Sequence, residues 1–262
     1  MMRSLFTATT GLVSQQMNLD VVSNNLANVN TTGFKKSRAD FEDLLYQTIQ
    51  VAGTETTLGT QEPTSVQVGL GVRPLAVERI HTQGSLEGTD NPLDMAIEGE
   101  GFFQVIRENG EIGYTRAGIF QRDAVGNVVT PNGLPLEPAI TVPSDATDII
   151  ISPTGAVSVL QGTSSTQTQI GQIQLARFAN DVGLHSLGGN LLAPSAASGD
   201  PTVGNPGDPG YGGVTQGFVE GSNVNIAEEL VNMIVGQRAY EVNSKAVQTA
   251  DEMLQLANNL KR

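Results

Sequence analysis

Two pairs of acidic residues stand close enough in the chain to suggest acid–base chemistry: Glu98 with Glu100, and Glu108 with Glu111. Hydrolysis of a glycosidic bond needs two carboxylates at a defined separation, one to protonate the leaving oxygen and one to attack or to activate water. Both pairs sit beside glycine-containing turns, where carboxylates are ordinarily solvated, so catalysis is not the favoured reading. His81 and His185 are isolated, with no ligand spacing around either, and read as solvated or hydrogen-bonded loop histidines. Gly69-Leu70-Gly71 is too short to cradle a phosphate, and no Lys-Ser/Thr follows it. The absence of cysteine excludes disulfides and thiolate metal sites. No cofactor and no metal site are expected.

Bulk properties narrow the partners. The 262 residues carry a formal net charge of −13, from 27 acidic and 14 basic side chains. That balance argues against a nucleic-acid partner, which needs a basic face to neutralise phosphates, and against docking on anionic lipid. Charged residues make up 16% of the chain, against about 25% in an average soluble protein. Ser, Thr, Asn, Gln and 30 Gly take their place, a surface suited to contact with other protein. No apolar run approaches the roughly 18 residues of a membrane span. Residues 1–11 hold Arg3 but no apolar core, unlike a secretory signal peptide. On composition alone, the default compartment is the cytoplasm.

The elements that must position these residues differ between the ends and the middle. Between residues 4 and 29 there is no Pro and one Gly. Leu5, Leu12, Leu19 and Leu26 recur every seven residues, with Ala8, Gln15, Val22 and Val29 as the companion row. The spacing predicts a helix with an a/d seam, about 39 Å long. At the other end Asn225 and Glu228 form a capping-box pattern. Ile226, Met233, Tyr240, Val247 and Leu254 again recur every seven, and Glu229, Gly236, Asn243, Ala250 and Ala257 form a companion row of small or polar residues. Such a row lets a second helix approach closely. Lys261 and Arg262 would close the helix where its dipole favours cations.

The middle reads as β. Asn109-Gly110 between 102–107 and 112–115 predicts a two-residue hairpin. Pro131-Asn132-Gly133 and Ser152-Pro153-Thr154-Gly155 predict turns. Residues 149–151, 156–160 and 172–178 read as strands, and the Pro- and Gly-rich 199–213 as a loop. The fold class is α+β: a discontinuous coiled-coil helical domain (1–30 and 225–262), an extended linker (31–79), and a central β-rich domain (80–224).

The N-terminal helix is weak as a solitary element. Four buried Leu contribute roughly 6–12 kcal/mol, while fifteen Ser, Thr, Asn, Asp or Val residues cost roughly 5–10 kcal/mol of helix propensity. Between residues 4 and 34 the only charge is Asp20. An exposed helix ordinarily carries charge on its outer face; this one offers Gln and Asn, groups suited to hydrogen bonds between subunits. The expectation is an end that is weakly ordered in the monomer and becomes helical on assembly; the alternative is an intramolecular helical hairpin that caps the β domain.

Three separated stretches carry a family resemblance. Residues 24–35, Asn-Asn-Leu-Ala-Asn-Val-Asn-Thr-Thr-Gly-Phe-Lys, resemble the signature of flagellar rod and hook proteins, with Asn25, Asn28, Asn30, Thr32, Gly33 and Phe34 at its centre. Ser37-Arg38-Ala39-Asp40-Phe41 continues it. Asn91-Pro92-Leu93-Asp94 and Gly99-Glu100-Gly101-Phe102-Phe103 fit the middle, and Gln237-Arg238-Ala239-Tyr240-Glu241 fits the other end. The resemblance covers nearly the whole chain, in order. Within the family, chain length and the stretch 46–72, marked by Tyr46, Gln47, Gly69 and Gly71, resemble the distal rod, where that stretch is associated with rigidity. Gly33 is placed to end the helix in the left-handed conformation, and Phe34 and Phe41 to anchor the extended segment.

The resemblance implies a structural subunit that polymerises into a straight hollow helical tube and transmits torque from motor to hook. Leu5, Leu12, Leu19, Val22, Leu26, Ile226, Met233, Tyr240, Val247 and Leu254 would form its assembly interface. The implied partners are further copies of the chain, proximal rod proteins, the hook protein or hook–rod junction, the periplasmic and outer-membrane ring proteins, and the flagellar type III export apparatus. The implied location is the basal-body rod crossing the periplasm, reached without a cleaved signal peptide. Alternatives are a proximal rod or hook subunit, a peptidoglycan-remodelling enzyme using the carboxylate pairs, and a free carbohydrate-binding or adhesive β domain.

Overall fold

The computed structural model describes residues 2–52, 64–161 and 167–259. Helix α1 spans Met2–Ala27 and α2 spans Ile226–Asn259, with the β elements between them, an α+β arrangement. The chain divides into two compact units. The first comprises Met1–Leu26, Ser37–Glu78 and Asn225–Arg262; the second comprises Ala27–Lys36 and Arg79–Val224.

In the first unit α1 is a continuous helix in the single chain, without a second copy. It packs against α2, with Asn25 bonded to Glu229. Asn225 caps α2: its Oδ1 accepts from the amides of Ala227 at 3.0 Å and Glu228 at 3.4 Å, satisfying donors that the first turn leaves open. Glu228 and Glu229 add negative charge where the helix dipole favours it. The stretch expected as an extended linker is paired. Strand Ser37–Asp43 lies beside Val72–Arg79, and Tyr46–Gln50 pairs antiparallel with Val66–Gly69, Tyr46 opposite Gly69 and Gln47 opposite Val68. The described parts of the proposed rigidity segment thus include a two-strand ladder; its residues 53–63 lie outside the described residues, as do Lys261 and Arg262.

In the second unit a seven-stranded sheet centres on Phe102–Ile106, flanked by Ile112–Thr115 and Leu175–Arg177. Ala146–Ile151, Ala156–Gln161 and Gln167–Gln172 form a three-stranded sheet. Phe103, Phe120, Ile97, Leu136, Ile140 and Ile173 are fully or almost fully buried in the core that these elements share. Phe103 meets Phe120 edge-on, with ring centroids 5.4 Å apart.

Two local expectations are corrected. The Asn109-Gly110 hairpin is a three-residue connection, not two: the Gly110 amide donates to the Arg107 carbonyl at 2.8 Å, and the Arg107 amide to the Glu111 carbonyl at 2.9 Å. Gly110 takes φ +81°, the left-handed residue that such loops need. The same pattern recurs at Gly126, Gly133 and Gly155. The 199–213 loop contains a strand, Thr202–Gly204, paired with Leu175–Arg177.

Gly33 is a third correction. Helix α1 ends at Ala27, so Gly33 does not cap it. It does hold φ +70°, and a Cβ there would lie 2.5 Å from the Ala117 nitrogen. Both Gly33 and Gly110 thus carry a left-handed backbone, but nothing lies within 4 Å of a Cβ at Gly110. Gly110→Ala should cost about 1–2 kcal/mol, the conformational term alone. Gly33→Ala should cost at least about 2 kcal/mol more, because backbone must also move. Urea unfolding of the two variants measures the difference, and equal midpoints would contradict the collision.

Candidate functional site

Within the first unit the helices meet along a row of small and polar residues on α2, with one leucine of the α1 row among the partners. A Cβ on Gly236 would lie 3.0 Å from Leu19 Cδ2, and one on Gly11 would lie 2.9 Å from Asn243 Nδ2. Asn25 Nδ2 reaches Glu229 Oε2 at 3.4 Å. As α1 numbers fall from 25 to 19 to 11, α2 numbers rise from 229 to 236 to 243, so the helices run antiparallel. Glu229 and Ala250 are buried with Gly236 on the α2 side, and Ser14, Val22 and Asn25 on the α1 side. Leu5, Leu12, Leu19 and Leu26 are only half-buried flanks. On α2, Met233, Val247 and Leu254 are half-buried, while Ile226 and Tyr240 are 49% and 40% exposed. On α2 the contact runs along the companion row of small and polar residues; on α1 it runs through Gly11, Leu19 and Asn25.

Asn25 fixes the end of this pairing. Its Nδ2 donates to the Ser37 carbonyl at 2.8 Å, and its Oδ1 accepts from the Ser37 amide at 2.9 Å. One buried amide thus pins α1, the start of the Ser37–Asp43 strand and the first turn of α2. Asn25→Ala leaves the Ser37 amide and carbonyl and the buried Glu229 carboxylate short of partners, which costs about 1–3 kcal/mol per group.

The outer face of α2 is apolar and uncovered in the single chain. Leu230, Val231, Ile234, Val235 and Val242 are between 43% and 66% exposed. Tyr46, Ile49, Val66 and Val68 of the hairpin are also exposed. Gly71 lies against α1: a Cβ there would fall 2.2 Å from Thr10 Oγ1.

The second unit holds a buried ionic cluster that sequence reasoning did not single out. Glu220 has no exposure; Lys35 and Arg116 are 4% and 6% exposed. Lys35 Nζ donates to Glu220 Oε1 at 2.5 Å and to the Thr82 carbonyl at 2.7 Å. The Gly84 amide donates to the same carboxylate oxygen at 2.9 Å, and Arg116 Nη1 approaches Oε2 at 3.5 Å. Burial pulls the Lys35 pKa below the ordinary lysine range; the Glu220 carboxylate opposes that fall. Lys35 lies in the signature stretch, but its partner is 185 residues away. The remaining signature residues do local work. Asn28 Oδ1 accepts from Thr31 Oγ1 at 3.1 Å, and the Thr32 carbonyl accepts from Asn190 Nδ2 at 3.1 Å. Phe34 and Phe41 are half-buried, and Asn30 is exposed.

The chemistry-bearing residues are dispersed. Glu98, Glu100, Glu108 and Glu111 are all exposed; Glu100 pairs with Arg177 at 2.8 Å, and Glu111 pairs with Arg107. His185 is exposed on the strand His185–Gly188. His81 departs from expectation. It is half-buried and meets Phe102 edge-on at 5.7 Å.

Comparison with known proteins fits this geometry of exposed helices and hairpin. Residues 5–35 match the family described as flagella basal body rod protein, 96–159 the hook protein FlgE/F/G D1 domain, and 215–260 the basal body rod FlgEFG protein C-terminal family. The chain is 52% identical over 260 residues to the flagellar basal-body rod protein FlgG of Buchnera aphidicola subsp. Acyrthosiphon pisum, covering 99% of this chain and 100% of that one. It is 49% identical over 262 residues to that of Caulobacter vibrioides, with the same coverage of each. The chain belongs to the flagellar basal-body rod protein family. A flagellar hook protein FlgE, from Borreliella burgdorferi, is 40% identical over 163 residues, but these cover 58% of this chain and only 36% of the hook protein. The rod-family members thus match from end to end, while that hook protein matches in part.

In this rod-family chain, burial first and then Lys35, Arg79 and Arg116 push the His81 pKa from 6.5 down to about 4, against a backbone contact at Asp181. The folded chain keeps His81 neutral where the unfolded chain takes up a proton. Its contribution to stability is complete above the unfolded value and is lost as pH falls from 6.5 towards 4. Urea midpoints between pH 7 and 5 should decline, and His81→Gln should flatten that decline; an unchanged slope in the variant would rule His81 out as its source.

Proposed function

We propose that this chain is a structural subunit of the flagellar distal rod, polymerising into a straight hollow tube that transmits torque from motor to hook. The observation that carries the reading is the uncovered apolar face of α2 beside Leu230, Val231, Ile234 and Val235. In a chain of this family its natural cover is another copy. The end-to-end match to rod relatives, against the partial match to the hook relative, favours rod over hook.

The contact row spaced by seven on α2, with Gly11, Asn18 or Leu19, and Asn25 opposite, supports a coiled-coil reading of the helix pair. The residues of the leucine row and Ile226, Met233, Tyr240, Val247 and Leu254, half-buried or exposed within one chain, remain available to neighbouring copies. The hairpin carrying Tyr46, Gln47 and Gly69, followed by Gly71, is the rigidity segment: a paired ladder bends less than a single extended strand. Proximal rod proteins, the hook or hook–rod junction, the ring proteins and the type III export apparatus are the proposed partners, and the periplasmic basal body the proposed location. The carboxylate pairs are solvated surface groups, and no enzymatic role is assigned to them.

Burying a valine or leucine contributes about 1.5–3 kcal/mol, so a charge in this face should raise the critical concentration for polymerisation more than about tenfold. Leu230→Glu and Val235→Lys should each do so, by sedimentation and electron microscopy, with the monomer's circular dichroism unchanged. Tubes that form at the wild-type concentration would count against this face.

A further inference from the structure

The chain passes between its two units after Leu26, Lys36, Glu78 and Val224. Inside the second unit, the segments next to three of these passages are knotted together by two side chains. Glu220 accepts from Lys35 and from the Gly84 amide, and its own carbonyl accepts the Gly33 amide at 2.7 Å. Asn223 Oδ1 accepts from the Lys36 amide at 2.7 Å, and its Nδ2 donates to the Ile80 carbonyl at 2.8 Å and the Thr82 carbonyl at 3.1 Å. The Ile80 amide donates to the Lys36 carbonyl at 2.9 Å. Arg116, stacked over the Phe102 ring at 5.4 Å, ties Glu220 to the sheet through Ile97 and Gly99 carbonyls.

A carboxylate with no exposure is an expensive way to hold a β domain together; apolar residues of similar volume commonly do it as well. Its gain is directional. Ionic and amide bonds resist sliding of one segment past another, where apolar contact does not. Residues 33–36, 80–84 and 220–223 are short segments with little apolar surface of their own to fix their register.

We propose that Glu220 and Asn223, with Lys35 and Arg116, form a clamp that locks the passage segments in register so that the chain bears force between its units without slipping. These are positioning residues, and the mechanical half of the proposal rests on the rod reading above.

Hydrogen exchange on the full-length chain, before any assembly, tests the clamp by itself. In Glu220→Gln, which removes the charge, and in Asn223→Ala, which removes the bonds to Lys36, Ile80 and Thr82, the amides of Gly33, Lys36, Ile80 and Gly84 should exchange at least tenfold faster, while those of Val105 and Tyr114 keep their protection. Unchanged exchange at the four amides, or equal acceleration in the central sheet, overturns the proposal. In cells, the Asn223→Ala variant should swim normally in dilute medium and stall in viscous medium that wild type still traverses; equal performance at every load overturns the mechanical half. Failure of the rod reading would show separately, as a clamp response in exchange from a protein that forms no tube.

Discussion

A fully buried carboxylate must be paired, and the pairing of Glu220 organises the second unit. The desolvation cost of the anion is offset only if its oxygens are met by donors, and here an ammonium, a guanidinium and a backbone amide converge on them. Those donors come from residues 35, 116 and 84, so satisfying one side chain fixes the relative positions of three chain segments. Gly33 follows from the same demand. Its amide is drawn to the Glu220 carbonyl, and only a residue without Cβ fits against the backbone at Ala117. His81 shares these surroundings, and burial first, then the cations Lys35, Arg79 and Arg116, hold it neutral.

The first unit obeys a different constraint. Its helices meet through glycine, asparagine and glutamate with Leu19 and Val22, and most of its larger apolar side chains lie at the margins or outside. A monomer that keeps Leu230, Ile234 and Val235 in water leaves hydrophobic free energy unused. That deficit is what polymerisation of a rod-family subunit would draw on. The low charge of α1 would serve the same end, since few ions would have to be desolvated if copies met there.

Much of the architecture was legible in the sequence because it is set locally. Helix-compatible stretches free of Pro, the Asn225 cap, and turn glycines such as Gly110, Gly133 and Gly155 each act over a few residues, and each lies where pattern and turn chemistry place it. The resemblance in residues 24–35, 91–103 and 237–241 pointed to the rod and hook family for the same reason, being contiguous stretches of chain. The hairpin loop was misjudged by one residue because a type I turn closed by a left-handed glycine shares its Asn-Gly signal with the two-residue turn.

The sequence by itself determined that two long helices flank a β-rich middle, that no thiol chemistry is possible, and to which family the chain belongs. The tertiary structure decided which helix face turns inward. Periodicity gives a spacing of seven but not the partners across it, and the fold set Gly236 against Leu19, Gly11 against Asn243 and Asn25 against Glu229. It also decided the partner of Lys35. No local pattern links residues 185 apart, and only a fold that buries both can make their pairing obligatory.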